Sequence, residues 1–177
     1  MNTPYPNSYW LEPGRILCGE YPKEIDDMED DEAMSSLLES GARVFVDLTS
    51  EGKHTPYDEI ARSCATELGI DPGTLQFHRF PVPDGSVPGS VEDMQRIVDA
   101  VTKANEEGLI AYIHCWGGRG RTGTVAGCLL SEITGHTGEE AMADLQVRWQ
   151  GCAKSAKGEC PESEAQRKFI LNWKPRN

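Results

Sequence analysis

Two apolar runs of strand length constrain the fold of this 177-residue chain more than any other feature. Residues 44–48 and 109–113 are apolar at nearly every position, which is typical of strands buried on both faces of a sheet. Helical patterns precede and follow both runs. Strands that alternate with helices predict an α/β fold, in which helices flank a mostly parallel central sheet.

The other elements follow from apolar spacing and from glycine, proline and capping residues. Short strands are predicted over 10–11, 15–18 and 75–80, with a turn at Pro13-Gly14. Helices are predicted over 30–40, 57–68, 90–107, 124–133, 139–149 and 162–173. Residues 151–161 form a polar connector before the last helix.

Length and composition predict one domain over residues 1–177, with a short lead-in over 1–8. No apolar stretch approaches the roughly 20 residues of a membrane helix. The N-terminus also lacks the pattern of a secretory signal, so we expect a cytoplasmic location. A net charge of −12 disfavours nucleic acid as a partner and disfavours stable membrane association. The oligomeric state is left open, with a monomer as the default expectation.

Two compositional features each leave a structural and a functional interpretation open. Seven of the nine residues over 24–32 are acidic, which suits either the solvated first turn of a helix or a docking role. The six cysteines include no Cys-x-x-Cys pair, so neither a zinc site nor a thioredoxin-type motif is indicated. Cys152 and Cys160 lie near the two ends of the polar connector and could pair under oxidation, although most cysteines are expected to be reduced.

Residues 114–123 join a predicted strand to a predicted helix and carry the features of an anion-binding loop. Gly117, Gly118 and Gly120 let successive backbone N–H groups turn toward one point. The N-terminus of the following helix adds partial positive charge at that point. Arg121 supplies a planar fork that can hold two phosphate oxygens. The segment therefore predicts a cradle for a tetrahedral dianion.

Cys115 begins this cradle and is predicted to be its nucleophile. Amide groups, a helix end and a cation all stabilise a thiolate, so we expect Cys115 to be ionised and ready for in-line attack on phosphorus. Thr122 is predicted to place a hydroxyl where it can hydrogen-bond that sulfur. Trp116 either forms part of the pocket wall or packs beneath the loop.

A Cys-x5-Arg-Thr pattern preceded by His is present at His114, Cys115, Arg121 and Thr122. It resembles the signature of the protein tyrosine phosphatases, and the short chain resembles their dual-specificity branch. This resemblance extends in element order over about 9–173. It implies a cysteinyl-phosphate intermediate, a shallow active site, no metal and no other cofactor.

The resembled family takes its proton donor from an aspartate on a mobile loop about thirty residues before the cysteine. Asp84 lies at that distance before Cys115, between Pro83 and Gly85, which can act as hinges. We expect Asp84 to protonate the leaving oxygen and later to accept a proton from the attacking water. The alternatives are that Asp84 is a simple turn residue, or that Asp47, at the end of a predicted strand, is the donor.

Three further residues are predicted to support the site. His114 is expected to order the loop through hydrogen bonds rather than to carry protons. Arg119, at an expected exposed position of the loop, adds a second cation that suits a substrate with an additional negative group. Gln166, in the last predicted helix, either orients the attacking water or is a solvated helix residue.

The leading hypothesis is a protein phosphatase that acts on phosphotyrosine, and also on phosphoserine or phosphothreonine if the pocket is shallow. Its partner is then a phosphorylated protein. A phosphoinositide phosphatase is the alternative, which Arg119 favours and the net charge of −12 opposes. A catalytically dead phosphate-binding module is disfavoured, because Cys115 and Asp84 are both present. Sulfur transfer does not explain Asp84, and arsenate reductases with this motif carry it close to the N-terminus.

Overall fold

A five-stranded sheet forms the centre of the protein, in a computed structural model that describes residues 2–23, 25 and 28–176. The strands are β1 (Ser8–Glu12), β2 (Ile16–Gly19), β3 (Ala42–Asp47), β4 (Gln76–Arg79) and β5 (Ile110–His114). Across the sheet they lie in the order β1-β2-β5-β3-β4. β1 pairs antiparallel with β2, and the other pairings are parallel. The predicted α/β fold with a mostly parallel sheet is confirmed.

Helices cover both faces of this sheet. They are α1 (Asp30–Glu39), α2 (Asp58–Glu67), α3 (Val91–Glu106), α4 (Gly120–Thr134), α5 (Gly138–Trp149) and α6 (Glu164–Asn172), with short 3₁₀ helices at Pro72–Thr74 and Ala153–Lys157. None of the helices in the described ranges is both long and apolar enough to cross a bilayer. The predicted ends agree within two residues for the strands and for the helices other than α4. α4 begins at Gly120 rather than at 124, so the end of the predicted loop is helical.

Side chains of the central strands alternate between two apolar cores. Val44, Val46 and Ile113 face the core that contains α3, α4, α5 and α6. Phe45 and Tyr112 face the core that contains α1 and α2. The strands are therefore buried on both faces, which is why their sequences read as continuous apolar runs.

Helix α4 lies inside the protein, and every residue from 120 to 131 is buried. It packs against α3, α5 and α6. Two glycines allow the close approach, because a Cβ on Gly127 would overlap Ile170 of α6 and a Cβ on Gly123 would overlap the sulfur of Cys160. This packing fixes the first turn of α4 beside the end of β5.

The acidic segment over 24–32 is described in part. Asp30, Asp31 and Glu32 lie in the first turn of α1, where the helix dipole favours negative charge. The first-turn interpretation is confirmed for these residues, and the docking role stays a prediction. Three acidic residues of the segment lie outside the described ranges: Glu24, Asp26 and Asp27.

The carboxyl ends of the parallel strands meet at one edge of the sheet. β5 ends at His114, which pairs in register with Asp47 at the end of β3 and with Gly19 at the end of β2. Asp47 pairs in turn with Arg79 at the end of β4. Ligand sites of open parallel sheets form beyond this edge, and Cys115 is the first residue beyond it.

Candidate active site

Residues 115–121, hereafter the cysteine loop, connect the end of β5 to the first turn of α4. Cys115 is buried, with 3% of its surface exposed. Gly118 has a φ of +71°, and a Cβ there would lie 2.5 Å from the backbone carbonyl carbon of Gly19. Only glycine fits this position without displacing backbone. The cysteine loop therefore packs directly against the end of β2.

Arg121 joins the cysteine loop to two other segments. Its Nη1 donates to the carbonyl oxygen of Val82 at 3.1 Å and to that of Leu48 at 3.5 Å. Its Nη2 lies 2.8 Å from Oδ1 of Asp84, and the side chain is only 5% exposed. Two backbone carbonyl groups thus orient the guanidinium, and its remaining edge binds the Asp84 carboxylate.

Asp84 reaches the site from an exposed turn. The Ser86 N–H donates to the Pro83 carbonyl at 3.0 Å, and Gly85 supplies the left-handed φ of +69° that the turn requires. The Asp84 side chain is 72% exposed and still contacts Arg121. Asp84 is therefore a turn residue that also lies at the cysteine loop, and its role as proton donor stays a prediction.

Asp47, the alternative donor, is held by structural contacts. Only 5% of its surface is exposed. Its Oδ1 accepts hydrogen bonds from the backbone N–H of Thr49 at 2.8 Å and from the Thr49 hydroxyl at 2.7 Å. Its Oδ2 lies 3.9 Å from Nε of Arg79. A carboxylate with these partners orders the chain after β3, which favours Asp84 over Asp47 as the donor.

His114 is fully buried and linked to its neighbours through both ring nitrogens. Its Nε2 lies 2.7 Å from the Tyr57 hydroxyl, and its Nδ1 lies 3.4 Å from the Cys115 carbonyl oxygen. A carbonyl only accepts, so these partners favour the neutral tautomer with its proton on Nδ1. Burial lowers the pKa of His114 below its ordinary value, although Asp47 opposes the shift. A neutral imidazole with a hydrogen-bond partner at each ring nitrogen fits the prediction that His114 orders the cysteine loop.

Thr122 follows Arg121 in the first turn of α4 and is fully buried. Its hydroxyl has no hydrogen-bond partner within the described residues. A buried hydroxyl without a partner is costly, so an acceptor is needed close to it. The predicted hydrogen bond to the Cys115 sulfur would meet that need and stays a prediction.

Trp116, the second residue of the cysteine loop, lies at the protein surface and is not packed beneath the loop. Its indole is 42% exposed. One face stacks on the imidazole of His54, with ring centroids 4.3 Å apart and an interplanar angle of 7°. The Tyr21 ring contacts both, with its centroid 5.9 Å from that of Trp116 and 5.0 Å from that of His54. Of the two interpretations of Trp116, the pocket wall is the one that agrees with this exposure.

Arg119 is half-buried rather than fully exposed as the sequence predicts, and its role toward a second negative group stays a prediction. Its Nε donates to the carbonyl oxygen of Glu159 at 2.7 Å. Its guanidinium also lies against Gly158, where a Cβ would come within 2.7 Å of Nη2. The hydrogen bond to the Glu159 carbonyl thus directs the side chain toward the polar connector.

Gln166 is fully buried, so the interpretation as a solvated helix residue is wrong. Its side chain and Ser163 cap the N-terminus of α6 reciprocally. Its Nε2 also donates to the carbonyl oxygen of Ser86 at 3.0 Å, which ties α6 to the Asp84 turn. A Cβ on Gly120 would lie 2.9 Å from the same Nε2, so the amide borders the cysteine loop. Its predicted role toward water stays a prediction.

The cysteines other than Cys115 have structural surroundings. All six are free thiols, so Cys152 and Cys160 form no disulfide here. Burial raises the pKa of Cys152 to about 11 and that of Cys160 to about 12. The Cys160 sulfur lies 3.3 Å from the carbonyl oxygen of Arg119. Within the described part of the chain, no group of three or more His, Cys, Asp or Glu side chains could hold a metal ion.

Three residues at the site were not found from the sequence. His54 stacks on Trp116, and Lys154 donates from the 3₁₀ helix Ala153–Lys157 to the Gly117 carbonyl oxygen at 3.2 Å. Glu20, directly after β2, forms an ion pair with Lys154. None of the three belongs to a motif, and each is far from Cys115 in the sequence, so only the folded chain reveals their proximity.

Comparison with known proteins identifies the family. Residues 5–171 match the family described as "Swiss Army Knife protein, DSP-PTPase phosphatase domain". "Putative tyrosine phosphatase 197R" of Invertebrate iridescent virus 6 is 28% identical over 151 residues, which are 81% of this chain and 49% of that protein. The chain therefore spans about half the length of this curated relative.

Solved structures share the fold along nearly the whole chain. Tk-PTP in its active form has a TM-score of 0.71 and 20% identity, over 94% of this chain and 95% of its own. Kinase associated phosphatase has a TM-score of 0.68 and 18% identity, over 93% and 90%. PTPMT1 in complex with PI(5)P has a TM-score of 0.68 and 14% identity, over 94% of each. Together with the family match over residues 5–171, the shared fold shows that this chain belongs to the DSP-PTPase family of phosphatase domains.

Proposed function

We propose that this chain hydrolyses phosphotyrosine in proteins through a cysteinyl-phosphate intermediate on Cys115. One observation carries the proposal: the Arg121 guanidinium, six residues beyond the buried Cys115, lies 2.8 Å from the Asp84 carboxylate. A candidate nucleophile, an oxyanion-binding fork and a candidate acid therefore lie at one edge of the sheet. Membership of a phosphatase family supports the same class of reaction.

The reaction proceeds in two steps. The Cys115 thiolate attacks phosphorus and an S–P bond forms, while the bond from phosphorus to the leaving oxygen breaks and Asp84 gives that oxygen a proton. Water then attacks the phosphorus and loses a proton to Asp84. The S–P bond breaks, which restores the thiolate and releases inorganic phosphate.

Charge stabilisation in both steps comes from groups that are already ordered. We expect the backbone N–H groups of the cysteine loop and the N-terminus of α4 to face the phosphate when it binds. Arg121 is fixed by two carbonyl oxygens, so little reorganisation is needed when charge develops on the phosphoryl oxygens. The Thr122 hydroxyl stabilises the sulfur when it leaves.

The stacked pair Trp116 and His54 supports a preference for aromatic phosphates. The exposed indole directly follows Cys115 and offers a flat wall to the ring of phosphotyrosine. Aromatic contacts of this kind contribute about two- to tenfold in affinity. Phosphoserine and phosphothreonine have no ring to stack, so we expect them to be slower substrates. Trp116→Ala should therefore reduce the ratio of the hydrolysis rate of a phosphotyrosine peptide to that of a phosphoserine peptide.

Phosphoinositide hydrolysis is the second candidate function. The structure weakens the argument from the sequence that Arg119 favours it. PTPMT1, whose structure contains PI(5)P, shares the fold. However, the Arg119 Nε donates to the Glu159 carbonyl oxygen, so the side chain is directed toward the polar connector rather than projecting freely from the cysteine loop. The net charge of −12 also opposes binding to anionic membranes.

A substrate panel tests the proposal directly. Phosphate release is measured from a phosphotyrosine peptide, the matched phosphoserine peptide and short-chain phosphatidylinositol 5-phosphate. We expect wild type to prefer phosphotyrosine, and Cys115→Ser to lose turnover while it still binds phosphate. Cys64→Ser is the matched control, because Cys64 is a buried thiol on α2 that already donates to a carbonyl oxygen.

Two results of this panel contradict the proposal. Undiminished turnover by Cys115→Ser would remove Cys115 as the nucleophile. Faster turnover of the lipid than of either peptide would establish the phosphoinositide alternative instead.

A further inference from the structure

Two charged side chains that belong to no motif are enclosed next to the cysteine loop. Lys154 is 20% exposed and Glu20 is 11% exposed, and their side chains form an ion pair. Lys154 Nζ also donates to the Gly117 carbonyl oxygen at 3.2 Å. Removing charged groups from water costs free energy unless they are paired, so each of these two side chains needs the other as its partner.

The segment that carries Glu20 is itself firmly held against the cysteine loop. The Tyr112 and Tyr5 hydroxyls donate to the Glu20 carbonyl oxygen, at 2.5 Å and 3.3 Å. The N–H of Tyr21 donates to the Trp116 carbonyl oxygen at 2.9 Å. Two successive carbonyl groups of the loop are thus held, that of Trp116 by the Tyr21 N–H and that of Gly117 by Lys154.

Holding these carbonyl groups determines where the loop amides point. In a peptide group the C=O and the next N–H point in opposite directions, so fixing the Gly117 carbonyl also aims the Gly118 N–H. A cation on the carbonyl oxygen polarises the peptide and makes that N–H a stronger donor. Anion-binding nests depend on such inward N–H groups.

The negative charge of the Glu20 carboxylate is compensated by Lys154. Glu20 Oε1 is buried and has no hydrogen-bond partner among the residues that the structure describes. Without Lys154, an uncompensated negative charge would lie beside a loop that must hold a thiolate and a phosphate dianion. Its repulsion would oppose both.

We propose that Lys154 and Glu20 are a positioning pair that aims and polarises the phosphate-binding amides of the cysteine loop. This inference rests on the proposed function, because it assigns the pair to the same site. Lys154 acts through the Gly117 peptide and Glu20 acts by holding Lys154, and neither touches the reacting atoms.

Lys154→Met tests the pair with readouts that a merely structural role would not change. Alkylation of Cys115 by iodoacetamide is followed by mass spectrometry across a range of pH, and inorganic phosphate is titrated as a competitive ligand. We expect the alkylation midpoint to move to higher pH and phosphate binding to weaken by about five- to tenfold. Lys157→Met is the matched control, because it removes an exposed lysine from the same 3₁₀ helix. It should leave both readouts at wild-type values.

Two companion variants separate charge from folding. Lys154→Arg should restore part of the phosphate affinity, because it keeps a cation that can donate to Gly117. Lys154→Met with Glu20→Gln removes both charges, so it should fold even where the single variant does not. It should still bind phosphate more weakly than wild type, because the Gly117 carbonyl loses its donor.

The outcomes distinguish this inference from the proposed function. A lower melting temperature with wild-type alkylation and wild-type phosphate binding, in the single or the double variant, would show a structural role and overturn the inference. If wild type itself neither binds phosphate nor turns over any phosphate ester, the proposed function fails. If wild type does both and Lys154→Met matches it, only the positioning role fails.

Discussion

Gly118→Ala should damage the cysteine loop more than a glycine substitution with the same backbone angle elsewhere. Gly118 has a φ of +71°, and a Cβ there would approach the Gly19 carbonyl carbon to 2.5 Å and the Glu20 nitrogen to 2.7 Å. The left-handed angle alone costs an L-residue about 1–2 kcal/mol. Overlap with backbone atoms, which cannot rotate away, adds roughly 1–3 kcal/mol. We therefore expect the free energy of unfolding to fall by about 2–5 kcal/mol.

Gly135→Ala is the matched control for this variant. Gly135 ends α4 with a φ of +72°, and a Cβ there would meet no described atom within 4 Å. Only the cost of the angle applies, which is about 1–2 kcal/mol. Each kcal/mol lowers the melting temperature of a chain of this size by about 2–4 °C. Gly118→Ala should therefore melt at least about 2 °C below Gly135→Ala.

Thermal unfolding followed by circular dichroism measures the stability difference, and phosphate titration measures the effect on the site. We expect Gly118→Ala to bind phosphate more weakly than wild type, because moving its peptide turns an amide away from the anion. Gly135→Ala should bind phosphate as wild type does. Equal melting temperatures and equal phosphate affinities in the two variants would refute the close packing of the cysteine loop on β2.

Three further predictions concern the proton donor, the guanidinium and the buried imidazole. Asp84→Asn should slow hydrolysis of a tyrosine phosphate by about 10²–10⁴ and that of an activated aryl phosphate far less, so equal losses in kcat would point to another acid. Arg121→Lys keeps the charge but cannot hold both carbonyl groups and an oxyanion, so kcat should fall by about 10²–10³. A near-normal kcat would contradict the binding of phosphate by the forked guanidinium. Burial lowers the pKa of His114 below 6.5, so below about pH 6.5 the unfolded chain binds a proton that folded His114 lacks. Stability should therefore fall on acidification by up to about 1.4 kcal/mol per pH unit, and His114→Asn should flatten the dependence of melting temperature on pH between 6.5 and 5.

Most of the fold could be predicted because apolar spacing determines which faces are buried. The runs at 44–48 and 109–113 predicted the central strands, and helix ends followed from caps such as Ser90, which accepts from the Asp93 N–H. The start of α4 could not be predicted in this way. Gly120 and Gly123 favour a loop locally, but burial of the whole first half of α4 overrides that preference.

In the candidate site, the features that depend on the motif could be predicted from the sequence, and those that depend on tertiary contacts could not. The spacing within the motif predicted that Cys115 and Arg121 share one loop, because both lie on a single short segment. The direction of the Arg119 side chain could not be predicted, because its partner is a backbone carbonyl, which any residue supplies. The burial of Gln166 depends on how α6 packs against the Asp84 turn, and no local pattern encodes that packing.

The contact between Asp84 and Arg121 implies an order of events at the site. The carboxylate accepts from Nη2 at 2.8 Å, on the edge of the guanidinium that a phosphate oxygen needs, while Nη1 stays on Val82 and Leu48. Because two anions compete for one edge, we expect bound phosphate to displace Asp84, which is 72% exposed on its turn and free to reach the leaving oxygen. Removing the competing charge in Asp84→Asn should therefore strengthen binding of inorganic phosphate while turnover slows. Weaker phosphate binding in that variant would mean that Asp84 supports the cradle and does not compete with the substrate for it.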